Sequence, residues 1–160
     1  PGKAHEMVIN LSSLMRYSFK HFQTDKVTLR EEIKNNQFYL KIEKVRFGDK
    51  LNALFNIDEG CLDAKIPNMI LQPLYENAIK YGVYEATGPV DIVTSGYCNG
   101  DILEITITNN YHPDAVSRKG EGIGLRNIRD RLQIIYGNPL LMKVEDMKNK
   151  FIVTLSVPQK

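Results

Sequence analysis

Apolar residues recur at helical spacing through residues 4–22, where Met7, Leu11, Leu14, Ser18 and Phe22 share one side. A second helix is predicted from Thr28, which forms a capping box with Glu31, to about Phe47. Ile33 and Leu40 mark one of its faces and Phe38, Ile42 and Val45 another, a width that calls for packing on two sides. Gly48-Asp49 closes it, and Leu51–Ile57 follows as a short strand. Pro67 suits the first turn of a third helix, with Ile66, Ile70, Leu74 and Ala78 as its core stripe and Gly82 as its stop. Pro73 falls inside that helix and lacks an N–H, so the helix is expected to bend or restart there.

After Gly88-Pro89 the period changes from helical to alternating. Val90–Ser95 and Ile102–Asn109 are predicted strands joined by a turn at Asn99-Gly100-Asp101. Residues 110–121 are polar and turn-rich, a loop. Gly122–Tyr136 is a predicted helix with Leu125, Ile128, Leu132 and Ile135 inward. Leu140–Glu145 and Phe151–Val157 then form a hairpin. Tight turns between neighbouring strands imply antiparallel pairs. The fold class expected is α/β (α+β), a two-layer sandwich of a mixed, mostly antiparallel sheet with helices packed on one face. Residues 1–27 are expected to form a leading N-terminal helix, and 28–160 one domain.

A chain of 160 residues, 42% of them hydrophobic, can bury a real core without staples. The net charge of +2, with no basic run, gives no case for nucleic acid as a partner. Cys61 and Cys98 are far apart with no CxxC, which argues against a disulfide framework or a zinc site and for reduced thiols in a cytoplasmic setting. No apolar run approaches the roughly 20 residues that span a bilayer, and no signal pattern opens the chain. The start at Pro1-Gly2 without Met is expected of a piece of a longer protein, with any membrane segment outside it.

Three places carry candidate chemistry. Glu76, Asn77 and Lys80 lie within four residues on the third helix, with Asn77 placed on the buried stripe. An amide oxygen, a carboxylate that can orient water and a lysine near phosphates suit Mg²⁺, which takes few protein oxygens and keeps waters and phosphates. A core asparagine beside a surface ion pair explains the same residues. Gly120-x-Gly122-x-Gly124 opens a helix, where free N–H groups and the dipole favour an anion; a plain turn is the alternative. The spacing fits neither a Rossmann nor a Walker A loop. Asn109 continues the inward parity of Leu103, Ile105 and Ile107 to the strand's end, where its amide can both accept from and donate to adenine, or stabilise a turn.

Glu76-Asn-Ala-Ile-Lys-Tyr-Gly82 together with Gly120-x-Gly-Ile-Gly-Leu-x-Asn-Ile-x-x-Arg-Leu132 resembles the ATP-binding (GHKL/HATPase) domain of sensor histidine kinases, and more narrowly the LytS-type branch. Leu14-Met-Arg-Tyr-Ser18, the helix start at Thr28-Leu-x-x-Glu-Ile33, Tyr39-Leu-x-Ile-Glu-x-x-Arg-Phe47 and Ile66-Pro-x-x-Ile-Leu-Gln-Pro73 fit that branch in order. The resemblance implies a Bergerat-type fold with ATP between helices and sheet under a lid at 110–121. It assigns Asn77 to Mg²⁺, Glu76 to water orientation or base catalysis, and Lys80 to phosphate. Around the nucleotide it sets Tyr81, Asn109, Gly120, Gly122, Ile123, Gly124, Leu125 and Asn127, together with Arg131.

Implied partners are an upstream phosphoacceptor helix, absent here, a response-regulator receiver domain, and a second copy in a homodimer of the full-length protein. The setting implied is the cytoplasmic side of a membrane-bound sensor. Two departures stand out. Asn109-Asn110-Tyr111 replaces the family's Asp-Asn-Gly, which favours an alternative: a non-catalytic interaction module with lost or weakened nucleotide use. The Pro-His-Phe context of the phosphoacceptor surrounds none of His5, His21 and His112.

Overall fold

The computed structural model describes residues 2–20, 25–111 and 122–160. Helix α1 (Gly2–Lys20) leads through strand β1 (Lys26–Thr28) into helix α2 (Leu29–Phe47). Thr28 caps α2 in both directions: its hydroxyl accepts from the Glu31 N–H, and the Glu31 carboxylate accepts from the Thr28 N–H. Strands β2 (Leu51–Ile57) and β3 (Lys65–Pro67) follow, then helix α3 (Gln72–Ala78), which runs on into a π-helical turn at Ile79–Val83. Strands β4 (Val90–Asn99) and β5 (Ile102–Asn110), helix α4 (Ile123–Tyr136), and strands β6 (Met142–Met147) and β7 (Lys150–Pro158) complete the fold.

The main sheet has the order β2-β4-β5-β7-β6, with β2 parallel to β4 and every other pair antiparallel. Alternation sorts its two faces. Ile92, Leu103, Ile105, Val153 and Leu155 are buried, whereas Thr106 and Thr154 meet across the opposite face at 3.3 Å. The expected two-layer α/β sandwich is therefore what forms.

Three elements differ from the sequence expectation. Pro67 belongs to β3, paired with Lys26 of β1, and α3 begins at Gln72. Pro73 then sits in the first turn, where no N–H is needed, so it starts the helix instead of bending it. Helix α1 turns its apolar stripe outward: Met7 and Leu11 are exposed, while Asn10 is the buried residue. Its side against α2 runs through Asn10, Leu14 and Tyr17, whose hydroxyl donates to Glu32 of α2. Phe22, the last residue of the expected stripe, lies outside the described residues. At the other end of the chain, Ile135 and Leu140 are exposed, since Pro139–Leu141 forms a short 3-10 turn before β6.

Candidate functional site

Helix α3 is pinned to the sheet by its largest buried side chain. Tyr75 is fully buried, and its hydroxyl shares a hydrogen bond of 2.6 Å with Thr94 of β4. Leu74 and Ala78 fill the core on either side, which leaves Asn77 half-buried at the rim and not within the stripe. The Asn77 amide has no hydrogen-bond partner among the described residues. One turn further on, the helix widens into its π-turn, closed by the Tyr84 N–H on the Ile79 carbonyl at 3.0 Å. Such bulges are frequent at functional sites.

The π-turn holds the two residues that join the separate motifs. A Cβ placed on Gly82 would stand 2.8 Å from Nδ2 of Asn109, so only glycine lets the helix lie this close to the end of β5. Next to it, the Tyr81 hydroxyl faces Gly122, 3.8 Å from where a Cβ on that glycine would be. Gly124 in turn lies against Pro73 at the start of α3, where a Cβ would again have its nearest neighbour at 3.8 Å. Asn109 is 2% exposed, on the face shared with Leu103, Ile105 and Ile107, and its Nδ2 donates to the Asn110 carbonyl at 3.2 Å. Tyr81, Gly82, Asn109, Gly122 and Gly124 thus form one contiguous edge, drawn from three segments that are distant in the sequence.

The other predicted residues fall elsewhere. Glu76 and Lys80 are exposed and border a cavity of about 540 Å³ against α2, lined also by Tyr39, Glu43, Arg46 and Tyr84. Gln72 donates to the Glu76 carboxylate at 3.2 Å, and the Lys80 ammonium lies 5.1 Å from the centre of the Tyr81 ring. On α4, Ile123 and Asn127 are exposed and Leu125 is in the core. The Arg131 guanidinium is occupied by the carbonyls of Asn68 (2.7 Å) and Met69 (3.4 Å). Gly120, His21 and His112, like most of the expected lid, lie outside the described residues. A larger cavity, about 700 Å³, opens between α2 and the edge strand β2, away from all these motifs.

Spacing alone presents Gly82 as a helix stop; its role as a point of close approach is visible only once β5 is in place. Nor does spacing single out Tyr111, whose hydroxyl shares its one proton between the Asp146 carboxylate and the Met147 carbonyl, or the Asn110 side chain. The Asn110 amide accepts from the Asp91 N–H at 2.7 Å and donates to the Pro89 carbonyl at 3.3 Å. These bonds fasten the two residues that follow Asn109.

Solved histidine kinases share this fold. The catalytic domain of histidine kinase ThkA matches with a TM-score of 0.58 at 20% identity, over 84% of this chain and 95% of that one. The same kinase in complex with the response regulator protein TrrA matches with a TM-score of 0.54 at 16% identity, over 96% of this chain and 48% of that one. The fold is that of histidine-kinase catalytic domains.

Sequence similarity points the same way as the fold. The chain is 31% identical over 149 residues to the sensor histidine kinase YpdA of Escherichia coli (strain K12), covering 88% of this chain and 26% of that protein. It is 33% identical over 150 residues to the sensor histidine kinase YesM of Bacillus subtilis (strain 168), covering 91% and 26%. With the sensor protein LytS of Staphylococcus saprophyticus it shares 25% identity over 168 residues, covering 98% and 28%. The family model described as histidine kinase matches residues 1–51. The chain is thus similar over most of its length to sensor histidine kinases, LytS-type members among them. It spans about a quarter of the length of these curated relatives.

Proposed function

We propose that this chain is the ATP-binding catalytic part of a two-component sensor histidine kinase, and that it presents the γ-phosphate of Mg-ATP to a histidine outside the chain. The observation that carries this reading is the edge on which Tyr81 and Gly82 join Asn109 to the N-terminus of α4. Adenine would meet Asn109, whose Oδ1 can accept from the amino group and whose Nδ2 can donate to a ring nitrogen. The phosphates would lie at Gly122 and Gly124, with Ile123, Leu125 and Asn127 lending backbone or rim contacts at the positive end of α4.

Asn77 fits a magnesium ligand: it is half-buried, and its amide oxygen is not engaged by any described residue. Among the described residues no group of three or more His, Cys, Asp or Glu could hold a metal, so one amide oxygen plus phosphates and waters is the set on offer. The ion's contribution when bound is neutralisation of phosphate charge. Lys80 would add a positive charge from the same helix, and Glu76 would orient a water or act as the base, the roles that the resemblance implies. Catalysis then rests on positioning and charge, with no covalent nucleophile in this chain.

The partners of this reading are the parent protein's phosphoacceptor helix, a second copy of the parent, and a response-regulator receiver domain, the kind of protein found bound to ThkA. Residues 1–27 would be the lead from the phosphoacceptor region and 28–160 the ATP-binding domain. Among the described residues no helix is long and apolar enough to cross a membrane, and the reading places this part on the cytoplasmic side of a membrane-bound parent.

A second reading has one observation in its favour. The bonds of Asn110 and Tyr111 fasten the start of the expected lid, as suits a fold kept for interaction without nucleotide. Titration with a fluorescent ATP analogue separates the two. Saturable, magnesium-dependent binding supports the kinase reading, and its absence supports the interaction module.

A further inference from the structure

Glu32 has no exposed surface, and three elements meet at its carboxylate. Oε2 accepts from the Tyr17 hydroxyl of α1 at 2.8 Å and from the Met69 N–H at 3.1 Å; Oε1 accepts from the Leu71 N–H at 3.1 Å. Met69 has φ 55°, and among the described residues no other non-glycine has a positive value. That conformation is costly for a side-chain-bearing residue and persists where the surroundings over-determine it. The surroundings here are two charged groups: Glu32 holds the N–H side of turn 68–71, and Arg131 of α4 holds the carbonyls of Asn68 and Met69.

Helix α3 starts directly from this turn, at Gln72. The turn therefore sets where Pro73 meets Gly124 and where Tyr81 meets Gly122. A carboxylate with no exposed surface is expensive to desolvate, and a neutral side chain could fasten a turn at lower cost. Burial pushes the Glu32 carboxyl above its ordinary value, against the pull of its Tyr17, Leu71 and Met69 bonds and of Arg131.

The link to α1 has a second peculiarity. On α1 and α2, the buried Nδ2 of Asn10, both polar atoms of Asn35 and Oδ1 of Asn36 have no hydrogen-bond partner among the described residues. Unpaired buried polar groups work against a contact surface. On its other side α1 exposes Val8, Leu11, Met15 and Phe19. Helix α1 is docked on α2, and its Tyr17 bond reaches the carboxylate that orders the turn before α3.

We propose that Glu32 is a positioning residue for the nucleotide site, and that its bond to Tyr17 couples the docking of α1 to nucleotide binding. The proposal rests on the reading of the Asn109–Gly122 edge as that site. Coupling is reciprocal: whatever affinity the docked helix confers on nucleotide, nucleotide confers on docking.

The test uses the 160-residue chain, with Tyr17→Phe, Glu32→Gln and, as a control, Tyr97→Phe, which removes an exposed hydroxyl bonded to Glu104. Fluorescent-ATP titration is paired with amide hydrogen exchange of α1 with and without Mg-ATP, and circular dichroism checks folding. In the wild type, Mg-ATP slows exchange in α1. Tyr17→Phe, folded, binds roughly fivefold or more weakly, and its α1 exchange no longer responds to nucleotide. Glu32→Gln shifts both readouts in the same direction, and Tyr97→Phe shifts neither. A purely structural role for the bond would leave the nucleotide response of α1 intact. Wild-type affinity in folded Tyr17→Phe, or a nucleotide response of α1 that survives there, overturns the coupling. Failure of the wild type itself to bind Mg-ATP overturns the site reading beneath it and the coupling with it. If Glu32→Gln does not fold, Tyr17→Phe alone decides.

Discussion

Gly82 and Asn109 are packed so closely that a Cβ on residue 82 would lie 2.8 Å from Nδ2 of Asn109. The glycine's φ is not positive, so a substitution there meets the asparagine and not a backbone restriction. Asn109 is 2% exposed and has little room to yield. Gly82→Ala should therefore push the amide out of place. Overpacking of this kind costs roughly 1–3 kcal/mol of stability, and the displaced amide should lower ATP affinity by about tenfold or more. Thermal melting and fluorescent-ATP titration measure the two effects; unchanged affinity would separate Asn109 from the nucleotide.

Asn109→Leu keeps the volume but removes both the acceptor and the donor. Loss of a polar pairing in a site of this kind costs roughly 1–3 kcal/mol. The variant should bind ATP more weakly and lose most of any preference for ATP over GTP. Competition titration with the two nucleotides reads this directly, and a retained preference would mean that another residue reads the base.

Tyr75→Phe removes the hydroxyl that ties α3 to Thr94 of β4 through a 2.6 Å bond in the core. Thr94, also fully buried, is left without that partner. Denaturant unfolding should show a loss of roughly 1–3 kcal/mol. Nucleotide affinity in the folded variant should fall less than in Gly82→Ala, since Tyr75 anchors the helix and does not face the edge.

Pattern and spacing make much of this legible. The capping box of Thr28 and Glu31, the inward parity of Asn109 and the buried face of β7 all follow from rules that act within a few residues. Contacts between distant segments leave no such local trace. Pro67 resembles a helix start because the pairing of β1 with β3, which claims it, depends on residues some forty positions earlier. Glu32 resembles an ordinary first-turn acid of a helix, since nothing local reveals that Tyr17, Met69 and Leu71 converge on it. The grouping of Glu76 with Asn77 and Lys80 follows from helix spacing alone. The structure sets Glu76 and Lys80 toward α2, and Tyr81 and Gly82 toward α4 and β5.

The two cysteines should differ sharply in reactivity. Cys98 is exposed; Cys61 is buried. Burial, followed by the neighbouring Cys98 thiol, pushes the Cys61 thiol from its ordinary 9.0 up to about 12. The thiolate is the reactive form, and burial leaves Cys61 almost wholly protonated at neutral pH. An aromatic disulfide reagent should label Cys98 quickly and Cys61 only after unfolding. The linkage has a definite sign: the folded chain keeps a proton that the unfolded chain gives up, so this thiol's contribution to stability declines as pH rises from 9.0 toward about 12. Cys61→Ala should remove that part of the slope.

Magnesium-dependent nucleotide binding by the 160-residue chain, compared with Asn77→Ala, tests the central claim most directly. The wild type should bind a fluorescent ATP analogue saturably, lose affinity when magnesium is chelated, and respond to restored magnesium. Asn77→Ala should keep its fold, bind weakly, and show little difference between the two conditions. A wild type that does not bind, or an Asn77→Ala variant whose magnesium response matches it, would contradict the account.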